Sequence, residues 1–256
     1  MVSLLRLKTP FVVGVVVERK VTHAERVAAA AFAAGAHSVE LNLASLKVST
    51  QIDEGFFLRL RSPVYTTFRR APFMAIYGPQ FHKLAAYSDA HRMDRQTQML
   101  HFGSAGLDIE ADTFAPNHDE WTNDRAALLQ QRAVATIASQ NGAAVIFSWH
   151  PPRKLTLKEA LRAAHSLRDR GADLVKIVEK VRTRADAFNS VAISLALRDR
   201  LDHPFVFLAL GKEAVRFRPL MTAFGAAYLL ARPPLGANRL LAQPPVARAR
   251  ALIGLI

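Results

Sequence analysis

Residues 143–178 read AAVIFSWHPPRKLTLKEALRAAHSLRDRGADLVKIV, and they hold one full unit of the pattern that the chain repeats. The run Ala143–Trp149 is almost continuously apolar, as a strand covered on both faces should be. Pro151 and Pro152 end it. Thr156 and Glu159 then have the spacing of a capping box, and Leu157, Leu161, Ala164 and Leu167 recur at helical intervals until Gly171, which predicts a helix over Leu157–Arg170. A second apolar run, Asp173–Val178, follows at once. Strand, helix and strand in this order form a βαβ unit with parallel strands.

The same alternation extends in both directions. Strands are predicted at Phe11–Glu18, Ser38–Leu43, Val64–Phe68, Gly106–Glu110, Ala143–Trp149, Asp173–Val178, Phe205–Ala209 and Ala226–Leu230. Helices are predicted at His23–Ala34, Asp53–Arg61, Asp94–Phe102, Asp124–Ser139, Leu157–Arg170, Arg184–Arg200, Lys212–Thr222 and Val246–Leu255. Arg70–Arg92, with Pro72, Gly78 and Pro79, reads as a long loop after the third strand. Eight βα units in 256 residues match the roughly 250 residues usual for a (β/α)8 TIM barrel, so residues 1–256 are predicted to form one α/β barrel domain.

Half the residues are apolar and a fifth charged, an ordinary globular composition. With no cysteine, disulfides, thiol nucleophiles and Cys-ligated metal drop out, and the nine histidines show no close metal-ligand spacing. No metal is expected. Phe11–Val17 behind Arg6 and Lys8 resembles a signal peptide, but the run is short and Glu18, Arg19 and Lys20 stand where cleavage would fall. No stretch of about 18 uncharged apolar residues exists, so membrane association is not expected and a cytoplasmic location is. The net charge of +13 suits an anionic partner, yet the arginines are scattered and form no nucleic-acid-binding motif.

Two residues at predicted strand ends carry the chemistry. Lys176 lies among Leu174, Val175, Ile177 and Val178, where desolvation is expected to lower its pKa from about 10.4 and leave free amine to attack a ketone. The other reading is a buried lysine paired with a carboxylate. His150 ends the neighbouring strand, and an imidazole beside an imine can remove the adjacent proton and later return one to a leaving hydroxide. Asp108 and Glu110 share a side of their strand and are either functional acids or partners of Lys176 or Arg69.

The order of these motifs resembles type I 3-dehydroquinate dehydratase, the imine-forming 3-dehydroquinase of the shikimate pathway. The resemblance is carried by Ser38-Val-Glu-Leu-Asn-Leu, Val64-Tyr-Thr-Thr-Phe-Arg, Gly106-Leu-Asp-Ile-Glu, Ile146-Phe-Ser-Trp-His, Gly171-Ala-Asp-Leu-Val-Lys-Ile, Leu210-Gly-Lys-Glu-Ala-Val-Arg-Phe-Arg and Phe224-Gly-Ala-Ala. It implies syn loss of water from 3-dehydroquinate to give 3-dehydroshikimate, with no metal and no diffusible cofactor, Lys176 as the imine lysine and His150 as the proton-transfer group. It further implies that Arg218 binds the substrate carboxylate, with Arg216 as a competitor, and that Glu40 and Arg69 contact hydroxyls or orient the lysine. Gln243 would close over a small anionic keto-acid substrate, and the protein would form a homodimer.

The chain departs from the family pattern around that pair. Asn42, taken as a substrate contact, and Ala44 stand where the family has an arginine and an aspartate. Arg70, Ala71, Pro72 and Phe73 replace a glutamate and paired glycines, and Pro151 follows the histidine in place of Asp or Asn. A carboxylate that positions the histidine is therefore missing from its usual place. Two alternatives follow: a related lysine-dependent aldolase or dehydratase with a changed substrate, or a catalytically weak barrel that binds an anionic metabolite or polyanion.

Overall fold

The computed structural model describes residues 4–47 and 52–255. Eight parallel strands form its centre: β1 Phe11–Val16, β2 Ser38–Asn42, β3 Val64–Thr67, β4 Gly106–Glu110, β5 Ala144–Trp149, β6 Leu174–Lys180, β7 Phe205–Leu210 and β8 Tyr228–Ala231. They run in the order β7-β6-β5-β4-β3-β2-β1-β8. The ring is nearly closed between β7 and β8, where the Ala227 amide, just before β8, donates to the Phe205 carbonyl of β7 at 2.7 Å. The result is the (β/α)8 barrel expected from the alternation of apolar runs and amphipathic stretches.

The helices are α1 Val21–Ala33, α2 Glu54–Leu60, α3 Ala71–Met74, α4 Asp89–Phe102, α5 Arg125–Gln140, α6 Leu157–Asp169, α7 Arg184–Arg200, α8 Arg218–Ala223 and α9 Val246–Ile253. Thr156 and Glu159 form the anticipated capping box at α6. The face that α6 buries is Ala160, Ala163, Ala164 and Leu167, while Leu157 is exposed. Small alanines on that face let the helix approach the sheet closely. Among the described residues, no helix is long and apolar enough to cross a membrane.

Most boundaries shift by no more than two residues from the sequence reading, and three differences are larger or change the element. Helix α4 begins at Asp89 instead of Asp94, because the Ser88 side chain accepts from the His91 amide and caps it there. The predicted helix Lys212–Thr222 divides into a 3-10 turn, Lys212–Ala214, and α8. Pro219 lacks an N–H and sits naturally in the first turn of a helix, so it restarts the helix at Arg218. The loop after β3 contains α3 and two 3-10 turns, Ala75–Tyr77 and Pro79–Phe81, so it packs as a folded cover instead of an open loop.

Alternation along the strands divides the core. On β5, β6 and β7, Ile146, Leu174, Val178, Val206 and Leu208 share the inward side with Lys176, whereas Val145, Phe147, Val175, Ile177 and Phe207 face the helices and belong to a separate core cluster. Gly211 turns the chain out of β7 with φ of +137°, and a Cβ there would lie 2.4 Å from the Val181 carbonyl oxygen. Gly211→Ala is therefore expected to lower unfolding free energy by about 1–3 kcal/mol, as a strained backbone conformation demands. Denaturant unfolding of the two proteins checks this; an unchanged midpoint would show that the turn tolerates a side chain.

Candidate active site

The polar side chains at the carboxyl ends of the strands are brought together by register. Glu110 pairs with Ser148 across β4 and β5, and Ser148 with Lys176 across β5 and β6. Residues level with one another on adjacent parallel strands point the same way, so these three enter the barrel side by side. Glu40 on β2 is level with Tyr65 on β3, and both face inward from the opposite wall.

Lys176 Nζ lies between those walls. It donates to Glu40 Oε2 at 2.9 Å and to Asp108 Oδ2 at 3.3 Å. All three side chains are buried. Tyr65 donates its hydroxyl to Glu40 Oε2 at 2.7 Å. Arg69 Nη2 donates to Asp108 Oδ2 at 2.6 Å, and Arg69 Nη1 donates to Ser148 Oγ at 2.8 Å. Glu110 receives Arg69 at 3.4 Å and also pairs with Arg92. The sequence reading placed Lys176 in an apolar strand with a lowered pKa, and the structure corrects that expectation. Burial does disfavour the ammonium, but Glu40 foremost, with Tyr228 and Asp108, outweighs it and holds the pKa above the usual lysine range. Asp108 is disfavoured as an anion by burial, yet Arg69 and Lys176 more than offset this and keep its carboxyl below the usual range.

His150 follows β5 and is buried. Burial first, then Arg69 and Lys176, push its pKa well below the usual histidine value, so the ring is neutral at pH 7. Phe73 packs against it with ring centroids 4.8 Å apart. Arg218 enters from the start of α8, fully buried, with Nε donating to the Ala209 carbonyl at 3.0 Å and Nη1 without a partner among the described residues. Burial lowers its pKa to about 10, the mark of a cation without an anion. Arg216 is exposed and does not compete for the role.

Glu40, Arg69, His150, Lys176, Arg218 and Gln243 line one cavity, together with Phe73, Ile76, Tyr77 and Leu240 from its cover. Gln243 is held there by Asn238, which donates to its Oε1 at 2.8 Å. Asn42 does not line the cavity. Its side chain accepts from the Ala44 amide at 3.2 Å and lies 3.1 Å from Met74 Sδ, so it caps a turn beneath α3. The cavity is only ≈ 20 Å³ in volume. That is about the space of one water, less than a ligand-sized cleft.

Sequence reasoning missed Tyr65, Tyr77, Tyr228, Ser148 and Glu120. The tyrosines and the serine alternate with apolar neighbours in their strands and turns and look like packing residues. Glu120 lies in the β4–α5 loop with its Oε2 3.7 Å from His150 Nδ1, a neighbourhood that sequence distance hides.

A (β/α)8 barrel with a buried, doubly paired lysine, a neutral histidine and an unpaired arginine around one cavity defines the class: a barrel enzyme with its polar site at the carboxyl ends of its strands. The model of the family type I 3-dehydroquinase matches residues 12–255, and the chain belongs to that family. The activity that accompanies membership is removal of water from 3-dehydroquinate, a carbon–oxygen lyase reaction. Type I 3-dehydroquinate dehydratase from Clostridium difficile has a similar fold, with a TM-score of 0.76 at 16% identity over 96% of this chain and 92% of that one. The 3-dehydroquinate dehydratase from Geobacillus kaustophilus is comparably similar, with a TM-score of 0.76 at 15% identity over 99% and 95%. So is that from Enterococcus faecalis, with 0.76 at 16% over 100% and 99%. No curated protein sequence matches significantly.

The pairing of Asp108 with both Lys176 and Arg69 has a measurable consequence. Asp108→Ala leaves two buried cations short of an anion and is expected to cost about 3–5 kcal/mol of stability. Equilibrium unfolding near pH 7 measures it; a loss below about 1 kcal/mol would mean that the network is slack or wet.

Proposed function

We propose that Lys176 and His150 carry out imine-based dehydration of 3-dehydroquinate in this chain, with Arg218 as the carboxylate receptor. The observation that carries this reading is the convergence of Lys176, neutral His150 and unpaired Arg218 on one cavity. Arg218 is the buried cation there without a carboxylate partner among the described residues, so a substrate carboxylate would complete its pairing.

Lys176 must first release a proton to attack the ketone. Its nitrogen then bonds to the carbonyl carbon, and the carbonyl oxygen leaves as water. The iminium that results keeps the positive charge of the ammonium. Glu40 and Asp108, which disfavour the free amine, therefore stabilise this intermediate in the same place. Neutral His150 removes the proton from the neighbouring carbon to give an enamine. The enamine pushes out the hydroxyl on the next carbon as the imidazolium returns the proton, releasing water. A second water adds to the iminium, restoring the ketone and freeing Lys176. A histidine with a low pKa is a weak base that gives its proton back readily, which suits the second transfer.

Apolar cover residues, Phe73, Ile76 and Leu240, exclude bulk water from this cavity once it closes. Where the family has an arginine, Asn42 serves the fold of the cover, so hydroxyl recognition falls to Glu40, Arg69 and Gln243.

Mixing purified protein with 3-dehydroquinate and following conjugated-enone absorbance tests the reading. Lys176→Ala is expected to abolish turnover, and His150→Ala to lower kcat roughly 100- to 10,000-fold. Arg218→Met is expected to raise KM by about 10- to 100-fold, the worth of a charge-assisted hydrogen bond. Full activity in Lys176→Ala would refute the imine route.

A further inference from the structure

The geometry points to Glu120 as the positioning residue of His150, the carboxylate that fixes the ring through Nδ1 and leaves Nε2 to handle the proton. This inference rests on the proposed role of His150 and adds a residue from a loop outside the substrate cavity.

Three observations converge on it. His150 is buried, and its Nδ1 has no hydrogen-bond partner among the described residues, a costly state for a ring nitrogen. Glu120 Oε2 lies 3.7 Å from that nitrogen, inside ion-pair range and a few tenths of an ångström beyond hydrogen-bond contact. Phe73, on the face of the ring, offers packing but no polar contact.

The loop that presents Glu120 is anchored for the purpose. Glu120 has φ of +53°, a left-handed conformation that costs a glutamate energy and persists only where the surroundings impose it. Those surroundings are specific. Trp149, adjacent to His150 in the chain, donates from Nε1 to the Asp119 carbonyl at 2.8 Å. Arg170 reaches under the loop, donates to the Ala111 and Thr122 carbonyls at 2.7 and 2.8 Å, and lies 4.4 Å from the Trp121 ring centroid. Asp119 is thus tied to Trp149, the last residue of β5 and the neighbour of His150, while Arg170 at the end of α6 ties Thr122 to Ala111 just after β4.

The charges around the pair give it a pH signature. Glu110 of β4 and Asp112 just after it face Glu120, as do Arg69 and Arg70 beyond β3. Burial first, then the two acids, raise the Glu120 pKa to about 7 against the pull of the arginines. Above that pH the ionised carboxylate holds the Nδ1–H form of the imidazole and raises its basicity. Below it the carboxyl is protonated and the hold is lost, so the rate falls as pH drops through about 7.

Glu120→Gln, measured alone and with His150→Ala, tests the assignment. In the single variant kcat is expected to fall roughly 10- to 100-fold with KM within twofold, a smaller loss than removing the orienting carboxylate of a Ser–His–Asp triad. The acid limb near pH 7 should vanish, and Glu120→Asp should recover part of the rate. In the His150→Ala background Glu120→Gln should change the residual rate less than twofold, whereas mere loosening of the loop would lower it in both backgrounds. Nitrogen-15 NMR of His150 supplies a readout independent of turnover: the Nδ1–H tautomer should dominate in the parent protein and decline in Glu120→Gln. An unchanged tautomer, or equal losses in both backgrounds, overturns the role of Glu120. If the parent protein does not turn over 3-dehydroquinate, the dehydratase reading fails, and the tautomer still decides the pairing.

Discussion

A lysine ammonium inside a barrel has to be neutralised, and the placement of Lys176 between Glu40 and Asp108 meets that requirement. The rest of the site follows from it. Asp108 is shared with Arg69, Arg69 is shared with Glu110, and Glu110 is shared with Arg92. Each ion of this chain of pairs is held by more than one partner, which is the condition under which such groups are tolerable away from water. At the far side Arg218 breaks the pattern, since its charge has no anion among the described residues. In the proposed reading, Arg218 is where an anionic substrate group would bind.

The same electrostatics explain why a raised lysine pKa is compatible with imine chemistry. Depressing the pKa would favour the first attack, but the later intermediates that carry an iminium would lose stabilisation. In the proposed route the carboxylates favour the positive nitrogen throughout, and the penalty falls on one early deprotonation. His150 stands in the opposite condition, kept neutral by burial and by the cations Arg69 and Lys176. Two titratable groups in one cavity are pushed apart in pKa, the usual way in which acid and base roles are separated at a single pH.

Much of this was legible in the sequence because strand alternation is short-range. The eight apolar runs became the eight strands, and Lys176, within β6, and His150, just after β5, both line the cavity. Glu40, Arg69, Arg218 and Gln243 also reached the cavity wall. Asn42 did not, because what lies above β2 is set by α3 and Met74, a packing partner 32 residues away. The lysine pKa was misread for a similar reason: its sequence neighbours are apolar, whereas its charged neighbours lie on β2 and β4. Glu120 was invisible because an acidic loop residue has no periodicity to mark it, and only the bonds from Trp149 and Arg170 bring its loop to His150. Helix α8 was mistaken in its start because the helical pattern was followed through Pro219.

Borohydride reduction in the presence of 3-dehydroquinate, with peptide mass mapping, tests the central claim most directly. The expected result is a stable substrate-derived adduct on Lys176, absent without substrate. No adduct in a folded protein that still forms the enone, or an adduct on another lysine, would contradict the account.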